Sequence, residues 1–340
     1  MQKAKKRLFS VTAVLLAVLV ALTALLPTAG AAQAATMRSK YTGKSYTHNA
    51  RFNKLEVLNG VDISAWQEKV NWKKIKNDGI DFAILRAGYG KNASQEDAYF
   101  ATNFKNATAA GLPVGIYWYS YAKSVADVEK EARLCLQVLG SRTLDLPVFY
   151  DLEESSQLNK GKAFCTQLVE HFCSIIAAAG HTPGLYMSRS PLLDYIEQET
   201  RGRYALWVAE YGSKTCKYDG DYLMWQYADN GKVAGVNGHT DMDFLYGNKN
   251  SLPGSATLLK SKTYTGKAIT PAPTVTGEDG QPLKADKDYT LTYINNKAVG
   301  MATITAQGLG TYTGRRWYYR FKILPCLLYT SPSPRDRQKS

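Results

Sequence analysis

The sequence predicts an α/β chain, an irregular (β/α) TIM-like barrel, with a small all-β domain behind it. Three observations carry this. From Gly60 to Gly247, short β-type runs alternate with amphipathic stretches, the pattern of a parallel sheet closed by helices. Helical patterns fade beyond Ala179, so the last third of the barrel is expected to be strand-rich. After Leu252-Pro-Gly-Ser255 the helical periodicity stops altogether.

The elements follow in order. Lys3, Lys5, Lys6 and Arg7 precede an unbroken apolar run from Val11 to Leu26, and Ala32-Gln33-Ala34 offers the small residues of a cleavage site. A basic region, an apolar core and an A-x-A site make residues 1–34 a secretory signal, a retained membrane anchor being the alternative. Residues 35–58 are polar and carry no decisive pattern. Barrel strands are expected at Gly60–Ile63, Asp81–Ala87, Val114–Tyr119, Pro147–Leu152, Gly184–Met187, Ala205–Ala209 and Tyr222–Tyr227, and Thr240-Asp241-Met-Asp243-Phe closes the ring. Helices are expected at Trp72–Asn77, Asp97–Ala110, Ser124–Leu139 and Lys162–Ala179, with Gly111-Leu-Pro and Gly180-His-Thr-Pro as stops. The barrel unit is set at 59–250, a linker at 251–261 and the β domain at 262–324. Within the last, Ala268–Val275, Tyr289–Ile294, Met301–Ala306 and Trp317–Ile323 read as strands of a small sandwich. It is similar to the Ig-like repeats of Gram-positive surface proteins, which serve as spacers or wall contacts. Residues 326–340 resemble an in-frame translation of a transposon adapter from a sequencing library, a genuine basic tail being the alternative.

Composition narrows the function. The 340 residues carry 42 Lys+Arg against 29 Asp+Glu, a formal charge of +13. Setting aside the four positive charges of the leader and the net two of the tail leaves +7. An exported basic protein concentrates at anionic polymers such as those of a bacterial wall, and export argues against nucleic acid as partner. A hydrophobic fraction of 45% excludes a disordered chain. Cys165 and Cys173, eight apart on one helix, stand about 12 Å apart, too far for a disulfide, so buried free thiols are expected. No Cys/His spacing suggests a metal.

Several chemistries are excluded. G-x-S-x-G and H-E-x-x-H are absent. Gly43-Lys44-Ser45 imitates the end of a phosphate loop, but Arg38 stands where its first glycine belongs. Gly88-x-Gly90-x-x-Ala93 imitates a dinucleotide loop without the acidic residue that should follow. No cofactor is implied.

The informative segment is Leu146-Pro-Val-Phe-Tyr-Asp-Leu-Glu-Glu154, an apolar strand ending in Asp151-x-Glu153. Residues two apart on a strand point the same way, about 6.5–7 Å from each other. Two such carboxyls cannot both ionise freely, so one keeps its proton and can act as an acid near neutral pH. That is the equipment of glycoside hydrolysis. A solvated, inert D-x-E is the bland alternative. Asp62 in the first strand and Asp241 in the last would converge on the same mouth. Aromatic runs flank it: Tyr117-Trp118-Tyr119, Tyr186, Trp207 and Trp225-Gln226-Tyr227, either packing residues or the walls of a sugar cleft.

GVDISAWQ, DFAILRAGYG, GLPVGIYWYSYA, LPVFYDLEE, GLYMS, LWVAEYG, MWQYAD and TDMDFLYG follow, in order, the pattern of the glycoside hydrolase family 25 lysozymes. The resemblance covers about residues 59–247. It implies a barrel with fewer helices than a regular one, and cleavage of the β-1,4 bond from N-acetylmuramic acid to N-acetylglucosamine in peptidoglycan. It implies Glu153 as general acid, Asp151 as the group that orients or stabilises the charged intermediate, and Asp62 and Asp241 as the other cleft acids. Arg86, Tyr117, Tyr119, Tyr186, Trp207, Trp225 and Tyr227 would line the sugar site. Asp243 is a departure, since many members carry Asn there. A monomeric, wall-associated extracellular muramidase is the expectation, either retaining with Asp151 as nucleophile or assisted by the substrate's 2-acetamido group. A non-catalytic peptidoglycan-binding protein is the alternative. The D-x-x-D-x-D-x-E strand of chitinases is absent.

Overall fold

The computed structural model describes residues 34–248, 252–254 and 256–326. The expected leader, residues 1–34, and the adapter-like stretch, residues 326–340, lie outside the described residues except for Ala34 and Cys326. A short antiparallel hairpin comes first, β1 (Thr36–Arg38) and β2 (Ser45–Thr47). Eight strands then close a barrel: β3 (Glu56–Ile63), β4 (Phe82–Tyr89), β5 (Val114–Tyr119), β6 (Val148–Asp151), β7 (Pro183–Ser188), β8 (Ala205–Ala209), β9 (Met224–Gly231) and β10 (Thr240–Gly247). Neighbours from β3 to β9 are parallel. β10 sits between β9 and β3 and is antiparallel to both. The helices are α1 (Trp72–Asn77), α2 (Phe100–Ala109), α3 (Val125–Leu139), α4 (Ser155–Leu158), α5 (Lys162–Ala178), α6 (Arg189–Tyr195) and α7 (Gln198–Arg203). Among the described residues no helix lies between β8 and β9 or between β9 and β10.

Strand alternation divides the core in two. Val61, Ile63, Leu85, Val148, Tyr150 and Leu185 face outward under the helices. Leu58, Phe82, Ile84, Phe149, Met224 and Leu245 fill the barrel itself. Each such side chain contributes about 1.5–3 kcal/mol by leaving water. The interior has no spare room: a Cβ on Gly60 would stand 2.1 Å from the Phe82 ring, and one on Gly184 2.5 Å from Phe149. These glycines are there because two phenylalanines share the layer with them.

The segment before β3, polar in composition, has a packing task that the sequence did not disclose. With no helix after β8 or β9, the outer face of β9 and β10 needs another cover. Tyr46 packs edge-on against Trp225 and Tyr227, with centroids at 5.7 and 4.5 Å. His48 Nδ1 lies 2.9 Å from the Tyr246 hydroxyl, and Phe52 stacks on the Tyr246 ring at 3.9 Å.

Behind the barrel, β11 (Thr257–Leu258), β12 (Lys262–Thr263), β13 (Tyr289–Ile294), β14 (Gly300–Gly308) and β15 (Arg316–Leu324) form one five-stranded sheet. β13, β14 and β15 are a meander, while β11 and β12 join β15 in parallel. A second paired sheet, as a sandwich requires, is absent among the described residues. The expected strand Ala268–Val275 does not form, because Pro271 and Pro273 remove ladder donors. The sheet is tied to the barrel's lower end: Arg316 pairs with Asp221 at 2.6 Å, and Arg320 Nη2 donates to Thr182 Oγ1 at 3.0 Å. Cys135, Cys165, Cys173 and Cys216 are buried free thiols, as the helix spacing required.

Candidate active site

Asp62 lies near the C-terminal end of β3, and Asp151 ends β6. Glu153 comes two residues after the end of β6; Leu152 between them is buried in the outer core, which turns Glu153 to the barrel side. Asp241 starts β10 directly opposite Asp62, and Asp243 is opposite Gly60 one layer deeper. Because β10 runs against its neighbours, its beginning meets their ends. Two acids from the start of a strand thereby join acids from the ends of others. Asp62, Asp151 and Asp243 are buried, Asp241 is half-buried and Glu153 reaches solvent.

A hydrogen-bond network holds the cluster. Gln226 Nε2 donates to Asp62 Oδ2 at 2.7 Å. The Tyr186 hydroxyl donates to Gln226 Oε1 at 2.7 Å, and Tyr211 donates to the same oxygen. Trp207 Nε1 donates to Asp243 Oδ1 at 2.7 Å. Asp62 is also within hydrogen-bonding reach of both Asp241 and Asp243. Two carboxyls attract only when a proton lies between them, so this cluster retains protons. Burial, and then the charges of Asp241 and Asp243, hold the Asp62 carboxyl well above the usual range. Burial is also the main cause for Asp243. Asp241 is pushed up to about 6, by partial burial first and the charge of Asp229 next. Asp151 is raised by burial and by Glu153, against the pull of Arg86. Glu153 is raised by partial desolvation within the mouth and by the charge of Glu154, with the hydrogen bond of Tyr119 opposing.

Residues 61–236, just over half of the chain, match the family model described as glycosyl hydrolases family 25. The chain belongs to that family. It is 30% identical over 206 residues to the uncharacterized protein YegX of Escherichia coli O157:H7, covering 58% of this chain and 72% of YegX. It is 26% identical over 186 residues to the autolytic lysozyme of Clostridium acetobutylicum, 55% of each chain. The crystal structure of the CTP1L endolysin is similar at 27% identity and a TM-score of 0.50, over 55% of this chain and 66% of that one.

Within this family 25 barrel the sequence-predicted aromatic residues take different places. Tyr117, Tyr186 and Trp207 do face the interior, where Trp207 packs against the other two at 6.0 and 4.5 Å. Tyr119 donates to Glu154 Oε1 at 2.7 Å beside the acids. Arg86 is an internal counter-charge: its Nε pairs with Asp97 at 2.8 Å, and Asp97 also accepts the Ala65 N–H. Trp225 and Tyr227 correct the expectation. They are 0% and 1% exposed on the outer face of β9, under the N-terminal segment, because Gln226 between them takes the inward position. Trp225 Nε1 donates to the Glu210 carbonyl and the Tyr227 hydroxyl bonds Ser39. Sequence reasoning missed Gln226, Asp97 and three exposed rings: Trp66 (83%), Tyr121 (45%) and Tyr211 (43%). All three sit on loops that follow barrel strands β3, β5 and β8, at the acid-bearing end. Their signal was position, two or three residues past an expected strand end.

Proposed function

We propose that the chain is a secreted muramidase that cleaves the β-1,4 bond from N-acetylmuramic acid to N-acetylglucosamine in peptidoglycan. The observation that carries this is the unequal carboxyl pair at the end of β6: Asp151 buried, Glu153 open to solvent and raised above its ordinary range. Glu153 then holds a proton where a glycosidic oxygen can reach it, and delivers it as the C–O bond breaks. Asp151 Oδ1 is buried without a hydrogen-bond partner. An acetamido N–H of the substrate satisfies it, which turns the acetamido oxygen toward the anomeric carbon. Attack by that oxygen gives a cyclic intermediate; water, deprotonated by Glu153, opens it with net retention. Asp62 and Asp241, fixed by Gln226, would shape the floor of the site, and Tyr117, Tyr119, Tyr186 and Trp207 its walls. The autolytic lysozyme among the relatives supports the same chemistry. The basic charge and the expected leader fit a wall-bound protein outside the cell, its C-terminal sheet a spacer or wall contact.

Incubation with purified peptidoglycan, borohydride reduction and mass spectrometry tests this. New muramitol ends, reduced about 10²–10⁴-fold in Glu153→Gln, are the expected result. Glucosaminitol ends would make it a glucosaminidase, and binding without new ends a non-catalytic wall protein. A substrate whose 2-acetamido group is replaced by hydroxyl should not turn over; if it does, Asp151 is the nucleophile.

A further inference from the structure

A groove of about 740 Å³ lies between the N-terminal hairpin, the loop after β8 and the end of β9. Tyr211, which bonds the Gln226 that holds Asp62, forms its inner end, and Asp229, whose charge is felt by Asp241, lies along it. The groove therefore adjoins residues that hold and influence the acid cluster. Its far wall is β2, anchored where the Thr47 N–H donates to the Lys214 carbonyl at 2.7 Å. β2 belongs to the segment that precedes the family-matched region, so this wall lies outside the part that the family model describes.

The lining is unlike a sugar site. Tyr46 and Tyr227 are buried and offer no open ring face beyond Tyr211. What the groove presents is Lys44 and Lys214, both exposed and in no ion pair among the described residues, with Asp229, Asn230 and hydroxyl groups. From Lys44 to Thr47 the wall is about 10 Å long at roughly 3.3 Å per residue, room for some three extended peptide residues. A mixed-charge trough of this length suits an extended peptide that carries carboxylates and an ammonium group. On the muramidase reading, such a peptide leaves the mouth attached to the lactyl group of the muramic acid beside the scissile bond. We infer that this groove binds the stem peptide of peptidoglycan, with Lys44 and Lys214 pairing with its carboxylates. The inference rests on the proposed muramidase activity and adds its peptide specificity.

Calorimetric titration of the full chain tests it with two soluble ligands: N-acetylglucosaminyl-N-acetylmuramic acid alone, and the same disaccharide carrying a tetrapeptide. Neither contains the bond to be cleaved. The peptide-bearing ligand should bind roughly fivefold more tightly, the worth of two solvent-screened ion pairs. In Lys44→Ala/Lys214→Ala that advantage should vanish while the bare disaccharide binds as before and the thermal midpoint is unchanged. Equal affinity for both ligands overturns the inference alone, as does a variant that weakens both alike, since the groove would then hold a sugar. Failure of both ligands to bind overturns it together with the muramidase reading.

Discussion

At the scale of the residue, Asp243 tests how the acid cluster is balanced. Its Oδ1 accepts from Trp207, and its Oδ2 is buried with no donor. As a neutral acid it can donate to Asp62; an asparagine amide would supply the same donor. Asp243→Asn should therefore keep activity within about threefold, whereas Asp243→Leu strands both neighbours and should cost about 1–3 kcal/mol of stability. Comparing the two by initial rates and thermal unfolding separates a hydrogen-bonding role from a charge. Asp241 gives the pH counterpart. Its carboxyl is raised from 3.8 to about 6, so the folded chain binds a proton that the unfolded chain releases. That contribution is complete below pH 3.8 and lost as pH rises through about 6. Asp241→Asn should flatten the fall of thermal midpoint across that window and raise the midpoint at pH 7. The acids that meet at the mouth were legible because carboxyls among apolar strand residues have few inexpensive uses. Trp225 and Tyr227 were not: alternation puts them on one face and Gln226 on the other, but both faces of β9 are buried. Which one looks into the barrel depends on a cover that residues 35–58 gave no sign of providing.

At the scale of the element, helices and strands were readable wherever one face meets water. α3 and α5 are amphipathic and were expected within a residue or so of their observed ends. The direction of β10 was not readable, since a strand's pattern is the same in either sense. Its consequence is chemical, because it delivers Asp241 and Asp243 to the mouth from a strand's beginning. The N-terminal segment is the element whose removal should be felt most. Phe52→Ala opens a cavity beside Tyr246 and Tyr222 and should cost about 3–5 kcal/mol in chemical denaturation, with specific activity of the folded fraction intact. Gly60→Ala drives a methyl into the Phe82 ring and should cost about 1–3 kcal/mol for the opposite reason.

At the scale of the molecule, the two units meet through Ile294, which joins the barrel's outer core, and through several polar anchors. Asp221 pairs with Arg316, whose side chain is only 7% exposed, and accepts from Gln307 at 2.7 Å. Ser174 and Asn295 exchange hydrogen bonds at 2.7 Å. Asp221→Ala leaves a buried guanidinium without its counter-charge and should cost about 3–5 kcal/mol. Calorimetry should then resolve two unfolding transitions where the parent chain shows one. The shift in composition near residue 255 marked the second unit in the sequence, yet nothing local foretold these anchors, which pair residues about a hundred positions apart. A further consequence belongs to the antiparallel last strand. Since β3 starts and β10 ends at the same pole, the barrel's polypeptide enters and leaves on the side away from its acids. The sheet spliced after β10 is thereby carried behind the acid mouth, so a module at that end can be exchanged over generations without crowding the cleft.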